Sequence, residues 1–237
     1  MERSTTKFIT FTAICSFLGA LTTAFLIFVP SVNSQGLEAG AMLHSNTLYL
    51  SKLWVLFVHP QVNFIAFLGV AYLLYKKHQL LVILGTLGLS VWAYTEMSQQ
   101  ALLIDALNQF WRPGYLEATS SVDKEMYRTL IIGSSALSDS KYFLVIYSFG
   151  LGSLLFGFAF NSESGLGKLI SVSLIFIGVL SLGSFARFYL GLTQINEVVD
   201  WLYQQVYSYL QPAIRVVIGL WLLMKLKKEN STRIEVT

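Results

Sequence analysis

Six apolar segments, each close to or beyond the length needed to cross a lipid bilayer, leave this sequence few folds to adopt. The hydrocarbon core of a bilayer requires about 20 consecutive apolar residues of helix. Segments of this kind occupy residues 8–29, 49–75, 80–107, 142–160, 166–192 and 198–226. We therefore predict an all-α, polytopic membrane helix bundle of about six transmembrane helices, forming a single domain over residues 1–226.

The composition agrees with a membrane protein. Only 12% of the 237 residues are charged, whereas about 25% are charged in ordinary soluble domains. The formal net charge of +3 is too small to indicate a nucleic-acid partner. The single cysteine, Cys15, excludes an intramolecular disulfide and a cysteine-based metal cluster. We expect contact with membrane lipid and no binding of nucleic acid.

The unequal distribution of lysine and arginine predicts the orientation of the bundle. These residues favour the cytoplasmic ends of membrane helices and the short loops on that side. With six spans, the side of the two termini carries most of them, including Lys76, Lys77 and Lys168, whereas acidic residues such as Glu117 and Asp123 fall on the other side. Both termini are therefore predicted to be cytoplasmic, with the protein in the cell membrane.

The two ends of the chain need separate predictions. Residues 1–7 are charged and precede an apolar run, as in a secretory signal, but a signal has an apolar run of only about 7–15 residues. The run at 8–29 is longer, so we expect a retained helix, with cleavage as the alternative. The polar tail at 227–237 is expected to be disordered and cytoplasmic.

The longest predicted loop, residues 110–141 on the outer side, carries signals for structure of its own. Arg112-Pro113-Gly114 is typical of a turn. Ser120 followed by Asp123 resembles a capping box and predicts the start of a short helix. We expect this helix to rest on the membrane surface or to cover the outer mouth of the bundle. The same loop is where a membrane protein partner would bind.

A charged residue within the sixth segment gives the first indication of function. Arg215 lies midway along residues 198–226, where a charge costs about 2.5–3.5 kcal/mol on insertion scales. It must face the protein interior or a wet cavity. Helical spacing places further polar residues on its face, and similar groups occur in the second, third and fifth segments. The predicted ligand-binding residues are His59, Asn63, Glu96, Gln99, Gln100, Arg187, Gln204, Ser208, Gln211 and Arg215.

Most of these positions fall in the outward half of the membrane, and the inward half of the segments is almost uncharged. This arrangement predicts a polar cavity that opens outward above an apolar floor. The alternative is purely structural: Glu96 would pair with Arg187 or Arg215 and tie two helices together.

Several chemistries lack the residues that they need. His59 is the one histidine within a predicted span, so we expect no metal site, no haem with two axial histidines and no other cofactor. Glycine-rich nucleotide loops and hydrolase motifs do not occur in the sequence. His59 and Glu96 could act as an acid–base pair if they lie close together. We assign no catalytic residues and favour a role other than catalysis.

The later part of the chain resembles a known family. The stretch GLGSLLFGFAF at 150–160, the LGKLI that begins at Leu166 and the run to Arg187 are similar to the later half of a bacterial family of six-span membrane proteins of unknown function. The likeness covers about the last third of the chain. It implies a location in the bacterial inner membrane and supplies no activity and no site residues.

Three functions fit these observations. The leading hypothesis is binding or transport of a small polar or amphipathic ligand, in particular an anion, through the outward-facing cavity. Arg215 and Arg187 would meet its negative group, Glu96 would balance the charge, and His59 would form a hydrogen bond. The alternatives are a non-catalytic membrane subunit or assembly factor that binds a partner through its outer loops, and a membrane-embedded enzyme acting on a lipid-like substrate.

Overall fold

The chain folds as helices throughout the part that can be described. A computed structural model describes residues 3–234, with the side chains of residues 4–228. It is 89% helical, and no strand occurs among the described residues. Six helices in this part are long and apolar enough to span a membrane. The predicted all-α bundle of six membrane-spanning helices is therefore confirmed.

The six long helices are numbered α1 to α6 in chain order. The first two are α1 (Arg3–Phe28) and α2 (Thr47–Leu74). Helix α3 begins as Gln79–Leu102 and continues through a π-helical segment, Leu103–Trp111, into Arg112–Glu117. It is followed by α4 (Ser121–Phe160) and α5 (Leu166–Tyr189). Helix α6 begins as Asn196–Leu202, passes through a π-helical segment, Tyr203–Tyr207, and continues as Ser208–Ile234.

The helices pack mainly against their neighbours in sequence, and α1 closes the arrangement by packing against α6. Short connections between α2 and α3 and between α4 and α5 make these pairs antiparallel. The apolar core lies mostly toward the side of the chain termini, where Leu74, Leu89, Phe156, Ile170 and Leu222 are buried together. This layer of aliphatic and aromatic side chains contains few polar groups.

Small residues let α4 approach its two neighbours closely. A Cβ added at Gly178 of α5 would lie 2.8 Å from the carbonyl oxygen of Gly150 and 2.8 Å from the amide nitrogen of Leu154. A Cβ added at Gly88 of α3 would lie 3.2 Å from the backbone of Gly152. Close backbone approach of this kind is typical of helix pairs in membranes, because lipid offers no hydrophobic drive for association.

The predicted outer loop at 110–141 needs correction, because most of it is helix. The predicted helix start is right: the Asp123 amide donates to Ser120 Oγ at 3.0 Å. The helix is not short, however, but runs on for 40 residues to Phe160. At 1.5 Å per residue it is about 60 Å long, twice the bilayer core of about 30 Å, so its first half projects beyond the apolar layer. No proline interrupts residues 121–160, which explains why it continues.

Two further expectations differ from the structure. Pro113 does not end the helix in a turn but lies within the continuous α3, just after its π-helical segment Leu103–Trp111. The tail expected to be disordered at 227–237 extends α6 as helix to Ile234, and no proline follows Pro212 to stop it. Residues 235–237 lie outside the described residues.

A buried carboxylate joins three parts of the chain on the side of the termini. The Glu163 side chain is 6% exposed and accepts hydrogen bonds from Lys77 Nζ, at 2.7 Å, and from Lys225 Nζ. Burial by itself would raise the pKa of Glu163. The hydrogen bonds from Lys225 and Lys77 outweigh that effect and lower the pKa below its ordinary value of 4.5.

Replacing Glu163 with Gln is expected to lower the melting temperature at neutral pH, and the difference from wild type should shrink in acid. A carboxyl with a lowered pKa stabilises the fold above its unfolded-state pKa, and this contribution is lost as the pH falls through the folded-state value. The difference should therefore be constant above about pH 6 and decrease below about pH 4.5. Thermal unfolding in detergent across this range measures it.

Glu125→Gln serves as the control, because the ion pair of Glu125 with Arg128 is exposed and exposed pairs contribute little. A difference between wild type and Glu163→Gln that persists unchanged in acid would contradict the assignment of this ion cluster.

Gly178→Ala is expected to destabilise the protein by about 1–3 kcal/mol, because the new methyl group forces α4 and α5 apart. Gly133→Ala on α4 is the matched control: nothing lies within 4 Å of a Cβ added there. Since alanine favours helix more than glycine does, this control should be neutral or stabilising by up to about 1 kcal/mol. Denaturant titration in detergent compares the two, and equal losses would argue against the close contact.

Candidate functional site

A cavity of about 260 Å³ lies inside the bundle, and each of α1 to α6 contributes to its wall. The apolar part of the wall includes Leu26, Ile27, Val145 and Ile146. The residues with polar groups are Thr23, His59, Trp92, Glu96, Tyr142, Ser181, Tyr203, Tyr207, Gln211 and Arg215.

The cavity lies toward the side opposite the termini, with its deepest charge near the middle of the membrane. Helix α1 contributes Thr23 near its end, and α6 contributes Tyr203 near its start. Arg215 lies ten residues before Lys225 in α6. Lys225 pairs with Glu163 on the side of the termini. Ten residues of helix measure about 15 Å, half of a bilayer core of about 30 Å. Arg215 therefore lies at mid-membrane depth.

Arg215 is buried and held by neutral groups. The residue is 7% exposed. Nε donates to Asn63 Oδ1 at 2.5 Å, and Nη1 donates to the Gln211 carbonyl at 3.0 Å and to Gln211 Oε1. Among the described residues, no carboxylate lies within salt-bridge distance of its guanidinium. The positive charge therefore has hydrogen-bond partners but no direct counter-charge.

Asn63 is oriented so that its oxygen faces Arg215. It lies four residues after His59 on one face of α2, is 2% exposed, and donates from Nδ2 to the His59 carbonyl at 2.7 Å. This bond occupies the amide nitrogen and leaves Oδ1 for the guanidinium. Gly19 of α1 makes the room, because a side chain there would collide with Asn63 Oδ1.

His59 and Glu96 face the same cavity from α2 and α3. The Thr22 hydroxyl lies 2.9 Å from His59 Nδ1, and the imidazole packs edge-on against Trp92, with ring centroids 6.3 Å apart. Among the described residues, Glu96 has no direct hydrogen bond to His59 and no direct ion pair with Arg215. An acid–base pair would therefore need an intervening group.

The π-helical segment of α6 changes which residues reach the cavity. A regular helix predicts a stripe of Gln204, Ser208, Gln211 and Arg215, but the structure places Tyr203 and Tyr207 in the wall with the last two. Hydrogen bonds in a π-helix run from i to i+5, so each turn holds more residues and a spacing of four keeps one face. Gln204 is exposed, and Ser208 Oγ donates to the Tyr203 carbonyl at 2.8 Å.

Arg187 does not line the cavity, which corrects its predicted role. Its guanidinium pairs with Asp200 and lies over the Phe188 ring, 4.6 Å from the centroid. This pairing joins the end of α5 to the start of α6. It also removes Arg187 as the predicted partner of Glu96.

The two glutamines predicted beside Glu96 likewise lie outside the wall. Gln100 is buried, and its Oε1 has no hydrogen-bond partner among the described residues. Gln99 is half-buried.

The wall also contains residues that the sequence did not single out, notably Trp92, Tyr142, Tyr203 and Tyr207. Aromatic side chains in apolar segments are typical of membrane interfaces, so they carry no distinctive signal for a cavity. Pro212 was the signal available in α6. It removes the helical hydrogen bond to the Ser208 carbonyl and so indicates an irregular helix there.

Comparison with known proteins found no match: no family model, no curated protein and no solved structure matches the chain. The resemblance of its last third to a bacterial six-span family stays a prediction.

Gln211→Ala is expected to lower the free energy of unfolding by about 1.5–3 kcal/mol, because Arg215 loses an acceptor for a charge-assisted hydrogen bond. Gln204→Ala on the same helix is the matched control and should change it by no more than about 0.5 kcal/mol. Denaturant titration of both variants in detergent tests the register of α6. A larger loss for Gln204→Ala than for Gln211→Ala would contradict this register and favour a regular α-helix at residues 203–207.

Proposed function

We propose that the protein binds a small amphipathic anion in the central cavity and carries it through the membrane. The observation that supports this proposal is the state of Arg215. A full positive charge at mid-membrane depth has only neutral partners and borders a cavity. A ligand with a carboxylate or a similar anionic group would supply the counter-charge that the protein lacks at that point.

Magnitudes favour a ligand over a purely structural role. An intramembrane hydrogen bond between helices contributes about 0.6 kcal/mol on average. Opposite charges 4 Å apart attract by about 4 kcal/mol at an effective dielectric constant of 20. Part of that attraction offsets the hydration that the anion loses. The guanidinium, however, is already dehydrated and held in place by Asn63 and Gln211, so binding does not have to order it again.

The position of Glu96 determines which way round the ligand binds in the cavity. Glu96 borders the same cavity as Arg215 but forms no ion pair with it, so its carboxylate is a separate negative charge in the wall. It also repels a second negative group. The negative end of the ligand therefore lies at Arg215, and a hydrogen-bond donor or cationic group on the ligand suits Glu96. The aliphatic wall at Ile27 and Ile146 accommodates an apolar part.

Transport, rather than binding alone, is supported by the helices that hold the site. Helices α2 and α6 each contain a proline directly beside a wall residue: Pro60 follows His59, and Pro212 follows Gln211. Prolines interrupt the helical hydrogen bonds and produce kinks. Interrupted helices around a site at mid-membrane depth are typical of secondary transporters.

A partner-binding role is the second candidate. The projecting half of α4 exposes apolar side chains, including Val122, Met126 and Leu137. A partner at the outer loops would cover them. Co-purification of a stoichiometric protein partner with the wild-type chain would favour this candidate over the carrier.

Octanoate, a small amphipathic carboxylate, is expected to bind the full-length protein in detergent through Arg215. Arg215→Gln should weaken its binding at least about tenfold, the value of one charge-assisted hydrogen bond. Glu96→Gln should strengthen binding, because it removes a negative charge from the cavity. Native mass spectrometry of the same samples detects any co-purified ligand.

Arg187→Gln is the matched control, since Arg187 lies outside the wall and its removal should leave octanoate affinity unchanged. The proposal fails if wild type and Arg215→Gln show the same bound mass and the same octanoate affinity, with both proteins folded.

A further inference from the structure

A second cavity, of about 270 Å³, lies at the end of the bundle opposite the termini. It shares no wall residue with the central cavity. Its wall residues on α3, from Leu103 to Arg112, follow Glu96 by 7 to 16 residues. The residues with polar groups in its wall are Tyr49, Arg112, Ser134, Ser135, Ser138 and Asp139.

Arg112 is the most buried charge at this cavity, and its bonding is incomplete. The residue is 9% exposed. Nη1 donates to Asn108 Oδ1 at 2.7 Å, and the guanidinium lies over the Tyr49 ring, 5.0 Å from the centroid. Nε has no hydrogen-bond partner, and no carboxylate within the described part of the chain lies at salt-bridge distance. A buried cation thus has a neutral acceptor, an aromatic face and a free donor.

The π-helical segment Leu103–Trp111 positions this arginine. Asn108 is buried within the segment and donates from Nδ2 to the Leu103 carbonyl at 2.5 Å. This bond holds the amide so that its oxygen faces Arg112 one turn later. π-Helical segments often mark functional sites, because they break the regular register to aim particular side chains. Arg112 is therefore oriented before any ligand arrives.

The facing wall adds hydroxyl groups from α4. Ser138 Oγ is buried and has no hydrogen-bond partner among the described residues, whereas Ser134 Oγ already donates to the Ile131 carbonyl at 2.7 Å. A guanidinium and a free hydroxyl both donate hydrogen bonds, and oxyanions accept such bonds strongly. Asp139 is exposed and borders the same cavity, so its negative charge repels an anion there.

We propose that this second cavity is a binding site for a small oxyanion, a carboxylate or phosphate group, held by Arg112 and Ser138. The anion would accept hydrogen bonds from the guanidinium of Arg112 and the hydroxyl of Ser138, both of which line the cavity. It would also supply the counter-charge for a guanidinium that neutral groups alone now stabilise. Asp139 limits the affinity and disfavours multiply charged anions. The proposal does not depend on the function of the central cavity.

Calorimetric titration of the full-length protein in detergent tests this site, with inorganic phosphate and acetate as separate probes against sodium chloride of matched ionic strength. We expect saturable binding of at least one probe. Arg112→Gln should weaken it at least about tenfold, and Asp139→Asn should strengthen it. The probe that binds identifies the anionic group that the site accepts.

Two matched arginine variants separate this site from the surface and from the central cavity. Arg128→Gln removes an exposed arginine of α4, and Arg215→Gln removes the arginine of the central cavity; neither should change the affinity. Ser138→Asp places a negative charge in the wall and should abolish binding. This variant tests the site even if Arg112→Gln does not fold.

Three results would overturn the proposal. The first is no saturable binding of either probe to wild type. The second is binding that survives Ser138→Asp and Arg112→Gln in folded protein. The third is binding that Arg215→Gln removes and the variants at Arg112 and Ser138 do not, which assigns the anion to the central cavity.

Discussion

The hydrogen bond from Arg215 to Asn63 is the contact on which the arrangement of α1, α2 and α6 depends. A guanidinium at mid-membrane depth cannot be left facing lipid, so α6 has to present it to a polar group on a neighbouring helix. Asn63 supplies that group from α2, and Gly19 of α1 leaves room for it. Ser16 of α1 then donates to the Arg215 carbonyl at 2.6 Å. Three helices thus meet at one charge.

The two arginine sites are built alike. In each, a π-helical segment precedes or contains an amide side chain whose oxygen accepts from the Nη1 of an arginine four residues later: Gln211 with Arg215, and Asn108 with Arg112. A proline accompanies each pattern: Pro212 directly follows Gln211, and Pro113 directly follows Arg112. An amide oxygen fixes the direction of the guanidinium but does not neutralise it. Each site therefore holds a guanidinium in a fixed orientation without pairing it to a carboxylate.

The spans and the buried charges could be predicted from sequence, because both follow from the cost of placing polar groups in hydrocarbon. The six helices were predicted in this way, and four of the residues predicted to bind a ligand, His59, Glu96, Gln211 and Arg215, border one cavity. This reasoning failed in two places. The π-helical register that exchanges Gln204 for Tyr203 is set by local hydrogen bonding, which the 3.6-residue period does not describe. Arg187 was misplaced because its partner, Asp200, lies across a turn on the next helix.

Helix α4 gives the molecule a mechanical property. Its 40 residues form one unbroken rod, which carries Ser138 in the wall of the outer cavity and Tyr142 and Phe149 in the wall of the central one. A continuous helix transmits displacement along its length because its hydrogen bonds resist bending. The two cavities therefore share one continuous wall element, and a partner that displaced its projecting end at Ser121 would act on both.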